Sequence, residues 1–134
     1  MATLDDVSRL AAALPAVMEF EYDLVGHLSW AVAGKRFGWE REFKQTDINR
    51  YGDQAPPGGP ILAVRVANLK EKEAILAANT PGFFTIHHFN GYKAFLIQLE
   101  KVSLKDLREA MTDAWLAEAP AELARDYVGD RPPG

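Results

Sequence analysis

The 134 residues carry a net charge of −4, with 48% hydrophobic residues, 25% charged residues and no cysteine. That length fits one domain burying roughly two-thirds of its unfolded surface, with the composition of an ordinary globular protein. The lack of cysteine excludes disulfides, thiolate metal sites and cysteine nucleophiles. No apolar run approaches the ~18 residues of a membrane span, so a cytoplasmic protein without membrane contact is expected.

Charge is unevenly spread. Residues 1–26 hold Arg9 against Asp5, Asp6, Glu19, Glu21 and Asp23, and residues 103–134 are also net acidic. Residues 27–51 carry Lys35, Arg36, Arg41, Lys44 and Arg50 against three acids. A dedicated nucleic-acid binder shows a stronger basic stripe than this.

Thr3 caps a first helix, with Asp5 and Asp6 in its opening turn and Val7, Leu10, Ala11 and Leu14 at helical spacing before Pro15 stops it. Val17 to Tyr22 alternates as a half-buried strand. A hairpin follows, with Gly34-Lys35 as a type II′ turn that sets Val32 opposite Phe37 and Trp30 opposite Trp39. In that register Leu28, Trp30, Val32, Phe37 and Trp39 share one face. Residues 46–51 read as a short helix and GDQAPPGGP as a connector, since its spacing and prolines do not suit a phosphate-binding loop.

Ile61 to Val66 reads as a strand, and Asn68 caps a helix through Ala78 with Glu71 at the capping-box position. The chain then spells FFTIHHF, Asn-Gly, YKAFLIQL. Asn90-Gly91 predicts a type I′ turn, which requires φ > 0 at both residues. Phe84 would then face Ile97, Ile86 face Phe95, Phe89 face Tyr92, and His88 face Lys93. Ser103 caps a last long helix with Leu107, Met111 and Trp115 on one stripe; Pro120 breaks it, and a final turn runs toward Tyr127. These elements predict an α+β fold: an antiparallel sheet built from two β-hairpins plus additional strands, with helices packed on one face. One domain over residues 1–128 and a flexible tail over 129–134 complete the expected organisation.

Several residues resemble the MmcQ/YjbR-like family. They are Leu14-Pro15 ending the first helix, Gly34-Lys35 followed by Phe37, and Lys72 to Leu76 leading to Pro81, Phe83 and Phe84. The His88 to Tyr92 turn and a last helix carrying Asp113, Trp115 and Ala119-Pro120 complete the set. The resemblance implies a CyaY-like fold whose two hairpins form a double wing, a DNA-binding role, and no catalytic activity. The family often carries a basic residue after Ala-Pro, where this chain has Ala121 and Glu122.

On that reading the candidate nucleic-acid contacts are Lys35, Arg36, Arg41 and Lys44 behind one tip, and His88, Asn90, Tyr92 and Lys93 at the other. The partner would be duplex DNA, bound by a monomer with no cofactor. The alternative is a non-catalytic module that binds a protein or small ligand near Tyr51, Phe89 and Tyr92. Adjacent His87 and His88 point to opposite strand faces and cannot grip one metal, so no metal site is expected. Glu19 with Glu21, and Glu40 with Glu42, read as solvated acids rather than a catalytic pair.

Overall fold

A computed structural model describes residues 2–41 and 58–129. Lys44, Tyr51, Glu42 and the expected 46–51 helix lie outside the described residues. Within them the chain runs α1 (Leu4–Ala12), β1 (Val17–Glu21), β2 (Leu28–Val32), β3 (Lys35–Glu40), β4 (Ile61–Arg65) and α2 (Leu69–Ala77). It continues through β5 (Phe83–Phe84), β6 (Ala94–Gln98), α3 (Leu104–Glu118) and α4 (Ala121–Gly129). The strands form one antiparallel sheet in the order β1-β2-β3-β4-β6-β5. The α+β class expected from the sequence is the one observed.

The helix starts follow their caps. The Thr3 hydroxyl accepts from Asp6 N while Asp6 Oδ2 accepts from Thr3 N at 2.9 Å, a reciprocal box. Asn68 Oδ1 accepts from Glu71 N at 2.8 Å and Ser103 Oγ from Asp106 N at 3.1 Å. The apolar stripes of α1 and α3 cover one sheet face. There Val7, Ala11, Leu107, Met111 and Trp115 bury Trp30, Val32, Phe37, Leu62, Val64, Phe95 and Ile97. The Trp115 indole N–H donates to Pro15 O at 3.0 Å, and its ring meets Tyr127 of α4 at 5.1 Å.

The opposite sheet face has its own smaller core of Trp39, Ile61, Ala63, Phe89, Ala94 and Leu96. Two corrections explain it. The first concerns the β2–β3 turn, which falls at Ala33-Gly34 rather than Gly34-Lys35. Both residues take positive φ (50° and 80°), and Val32 pairs with Lys35. Ala31 pairs with Arg36 but Trp30 with Gly38, which leaves Phe37 as the extra residue of a β-bulge. The bulge breaks the alternation, so Phe37 joins the helix-side core and Trp39 goes to the other face. A left-handed Ala33 costs about 1–2 kcal/mol. Burying a large apolar side chain, on the order of 1.5–3 kcal/mol, offsets it.

The second correction concerns the expected Asn90-Gly91 hairpin. The chain does reverse there, with Tyr92 N donating to Phe89 O at 3.0 Å. Asn90 keeps a negative φ of −60° and only Gly91 is positive, at 75°, which makes a type II turn. The preceding residues do not continue the strand. His87–Phe89 winds into a 3₁₀ turn, and β5 pairs through Phe83↔Ile97 and Phe84↔Leu96 only. That one-residue slip sends Phe83 against Phe95 (4.9 Å) and leaves Phe84 and Ile86 on the second core. Phe89 drops into that core with Tyr92 edge-on beside it, so the expected Phe89–Tyr92 neighbours meet against the sheet and not on a projecting arm.

Lys72 locks this arrangement. It is the buried residue of α2, 7% exposed, and its Nζ donates to Phe89 O at 2.6 Å and Tyr92 O at 2.8 Å. Desolvation holds the ammonium below its ordinary 10.5. Charge-assisted bonds of this kind contribute about 2 kcal/mol. Lys72→Met is therefore expected to destabilise the protein by about 2 kcal/mol in denaturant unfolding, with amide protection lost first at residues 89–92. Unchanged protection there would show that the turn does not depend on the lysine.

Candidate nucleic-acid interface

In this antiparallel sheet the start of β3, the end of β4 and the start of β6 lie at one end, as the pairs Gly38↔Val64 and Arg65↔Ala94 require. On the sheet face away from α1 and α3, cations and rings interleave from that end, where Arg65 stands, toward the opposite end, where Tyr22 and Arg41 follow β1 and β3. The Arg36 guanidinium lies 4.1 Å from the Trp39 ring centroid and 5.4 Å from that of Tyr22. Arg65 lies 5.3 Å from Trp39 on one side and 4.9 Å from Tyr92 on the other. Tyr92 meets Phe89 edge-on at 5.3 Å, and Arg41 sits 5.7 Å from Phe89. Such stacking contributes roughly 0.5–2 kcal/mol per pair, increasing with desolvation.

Rings contact the guanidinium groups of Arg36 and Arg65 on this face. Among the described residues neither Arg36 nor Arg65 forms an ion pair. Arg36 makes a long 3.5 Å contact to Ser29 Oγ, and the buried Arg65 Nε has no hydrogen-bond partner. Their planar donor forks lie against rings and pair with no described carboxylate, which suits an oxyanion. Tyr22 closes the row: its hydroxyl donates to Glu40 O, and burial first, then the Asp23 charge, push its phenol above 10.0.

Of the candidates from the sequence, Lys35 and Lys93 are exposed at this same end of the sheet, and Arg36 and Tyr92 are half-buried members of the row. Arg41 is buried at 9% and anchored by its backbone N–H to Ile61 O, so it supports the site from within. His88 and Asn90 are exposed on the 3₁₀ turn and the type II turn, and His88 does not face Lys93 across a ladder. Arg65 and Tyr22 were missed, and Trp39 was read as helix-side core. The one available signal was Arg65 itself, a lone charge within the apolar run Ile61 to Val66.

The acids have structural roles. Glu19 Oε1 accepts from the Trp30 indole N–H at 2.7 Å, and Glu40 Oε1 from Leu28 N at 3.2 Å. Asp23 Oδ1 accepts from the amides of Val25, Gly26 and His27, while its Oδ2 meets His27 Nδ1 at 2.6 Å. That His27 bond comes first among the causes that hold Asp23 below 3.8.

On the other side of the sheet, Glu71 of α2 faces Asp106, Glu109 and Asp113 of α3 across a cleft of about 200 Å³ floored by Phe83, Phe95 and Ala110, with Arg65 also in its lining. Desolvation first, then the Glu71 and Glu109 charges, raise Asp113 above 3.8. A carboxyl raised in the folded state penalises its ionised form there. The penalty is present above the raised value and disappears once pH falls below 3.8, where both states are protonated. Asp113→Asn should therefore raise the urea midpoint at neutral pH and leave it unchanged near pH 3. Destabilisation at neutral pH would contradict this reading.

Comparison with known proteins gives relatives without an assigned activity. The chain is 37% identical over 133 residues to Uncharacterized protein Mb2600 of Mycobacterium bovis and to Uncharacterized protein Rv2570 of Mycobacterium tuberculosis. The alignments cover 97% of this chain and 98% of each relative. No family model and no solved structure matches it. Near-complete coverage at that identity places the chain in the same family as these uncharacterised mycobacterial proteins.

Proposed function

We propose that this protein binds duplex DNA through the cationic end of its sheet. The observation that carries the reading is the pair Arg36 and Arg65, stacked on Trp39, directed by rings and unpaired with any described carboxylate. Lys35 and Lys93 add exposed charges at the same end of the sheet. Trp39 is 5% exposed between the guanidinium groups, so it offers no stacking platform for an unpaired base. The contacts suit phosphates, which position a duplex without reading its sequence.

The cleft between α2 and α3 carries Glu71, Asp106, Glu109 and Asp113, with Arg65 also in its lining and Lys105 and Arg108 beside Glu109 and Asp113, so its acids stand among cations. Support for a polyanion contact comes from the local arginines, since the chain as a whole carries −4. The resemblance to the MmcQ/YjbR-like family points the same way, with a difference in geometry. The β2–β3 hairpin serves as a wing, while the second wing is replaced by a turn tied down by Lys72.

The test is fluorescence anisotropy of a labelled duplex across a salt series. Binding should weaken steeply with salt, and Arg36→Gln or Arg65→Gln should each reduce the log–log slope by about one without changing the fold by circular dichroism. A labelled single strand of equal length should bind more weakly. No anisotropy change at low salt, or equal slopes for wild type and both variants, would overturn the proposal.

A further inference from the structure

Among the described residues β1 is an outer strand, with β2 on one side and no strand on the other. Edge strands are ordinarily kept short, bulged or covered to prevent pairing with another chain. This one pairs with β2 over five consecutive residues, without a bulge. Its two sides are chemically distinct. Val17, Glu19 and Glu21 are on the helix side, where Val17 packs on the core and Glu19 holds Trp30. Met18 and Phe20 project from the other side, at 65% and 37% exposure.

The apolar surface continues past the strand. Leu24 and Val25 are fully or largely exposed in the turn that follows. Asp23 holds this turn through three backbone amides and His27, so the two aliphatic side chains are presented on a fixed loop. Met18, Phe20, Leu24 and Val25 thus leave four large apolar side chains exposed within eight residues of chain, which marks an interaction surface.

A second copy of the same chain is a poor occupant. Antiparallel pairing of β1 with itself, with both helix layers on one side, sets Glu19 opposite Glu19 or Glu19 opposite Glu21 in the registers that overlap most of the strand; the register centred on Met18 pairs only residues 17–19 within it. Like charges directly opposite are destabilising. Shifting by one residue sets the glutamates against Met18 and Phe20 instead.

We infer that β1 accepts an extended segment of a partner protein as an added strand, and that this segment alternates apolar residues with Lys or Arg. Its apolar side chains lie beside Met18 and Phe20, and its cations lie opposite Glu19 and Glu21. Main-chain bonds to the outer edge supply affinity and the alternating pockets supply selectivity, as in other strand-addition modes.

The probe is a fluorescein-labelled, acetylated heptapeptide alternating lysine and valine, titrated with the full chain and followed by anisotropy and by amide shifts. A heptapeptide alternating glutamate and valine is the control. The lysine peptide should bind saturably, protect amides of residues 17–21 from exchange, and be favoured over the glutamate peptide. Glu21→Lys, which leaves the Glu19–Trp30 bond intact, should weaken lysine-peptide binding by roughly three- to tenfold. It should also strengthen glutamate-peptide binding. Met18→Lys, at a solvent-exposed position, gives a second variant that should lower affinity without unfolding. No saturable binding, equal binding of both peptides, or protection confined to another element would overturn the inference. So would a stable dimer of the protein alone paired through β1.

Discussion

The arrangement depends on one backbone irregularity, the bulge that leaves Phe37 unpaired between Arg36 and Gly38. A regular strand would place Phe37 and Trp39 on the same face. The bulge separates them, so one ring seals the helix-side core and the other founds a second core on the far side. Arg36 and Trp39 then share a face although three positions apart, close enough to stack at 4.1 Å. Arg65 reaches the same ring from β4. The cationic row is thus a consequence of where β3 breaks its period.

A second constraint acts from α2. That helix contributes little apolar surface to the core beyond Ile75 and Leu76. Its buried residue is Lys72, spent on two backbone carbonyls of the Phe89–Tyr92 turn. Holding that turn down keeps Phe89 in the second core and Tyr92 within 4.9 Å of Arg65. A lysine in a helix thereby sets the position of an aromatic ring two elements away. The segment that reads as a projecting arm is a cap over the far side of the sheet.

The helices were legible from the sequence because their signals are local. Thr3, Asn68 and Ser103 each accept the expected amide, and the α3 stripe of Leu107, Met111 and Trp115 is buried as its spacing requires. β1 to β4, β6 and both chain reversals were also legible to within a residue, whereas the strand expected over FFTIHHF stops at Phe84. Register was not: in the first hairpin the earlier turn shifts Val32 by two residues to Lys35 and the bulge takes back one, and the second slips by one where a 3₁₀ turn consumes length. Alternation cannot reveal such a slip when both sheet faces are packed, because apolar residues then appear on both parities. The site suffered in the same way. Arg36 and Tyr92 were found from their nearness to turns, but Arg65 and Tyr22 join them only through tertiary contacts.

The measurement that bears most directly on this account is the chemical shift of the Arg36 and Arg65 side-chain protons. If both guanidinium groups stack on Trp39, their Hδ and Hε resonances are displaced upfield by the indole ring current, and Trp39→Leu returns them toward ordinary values in a protein that stays folded. Resonances at ordinary arginine positions in the wild type would contradict the stack and the bulge that creates it.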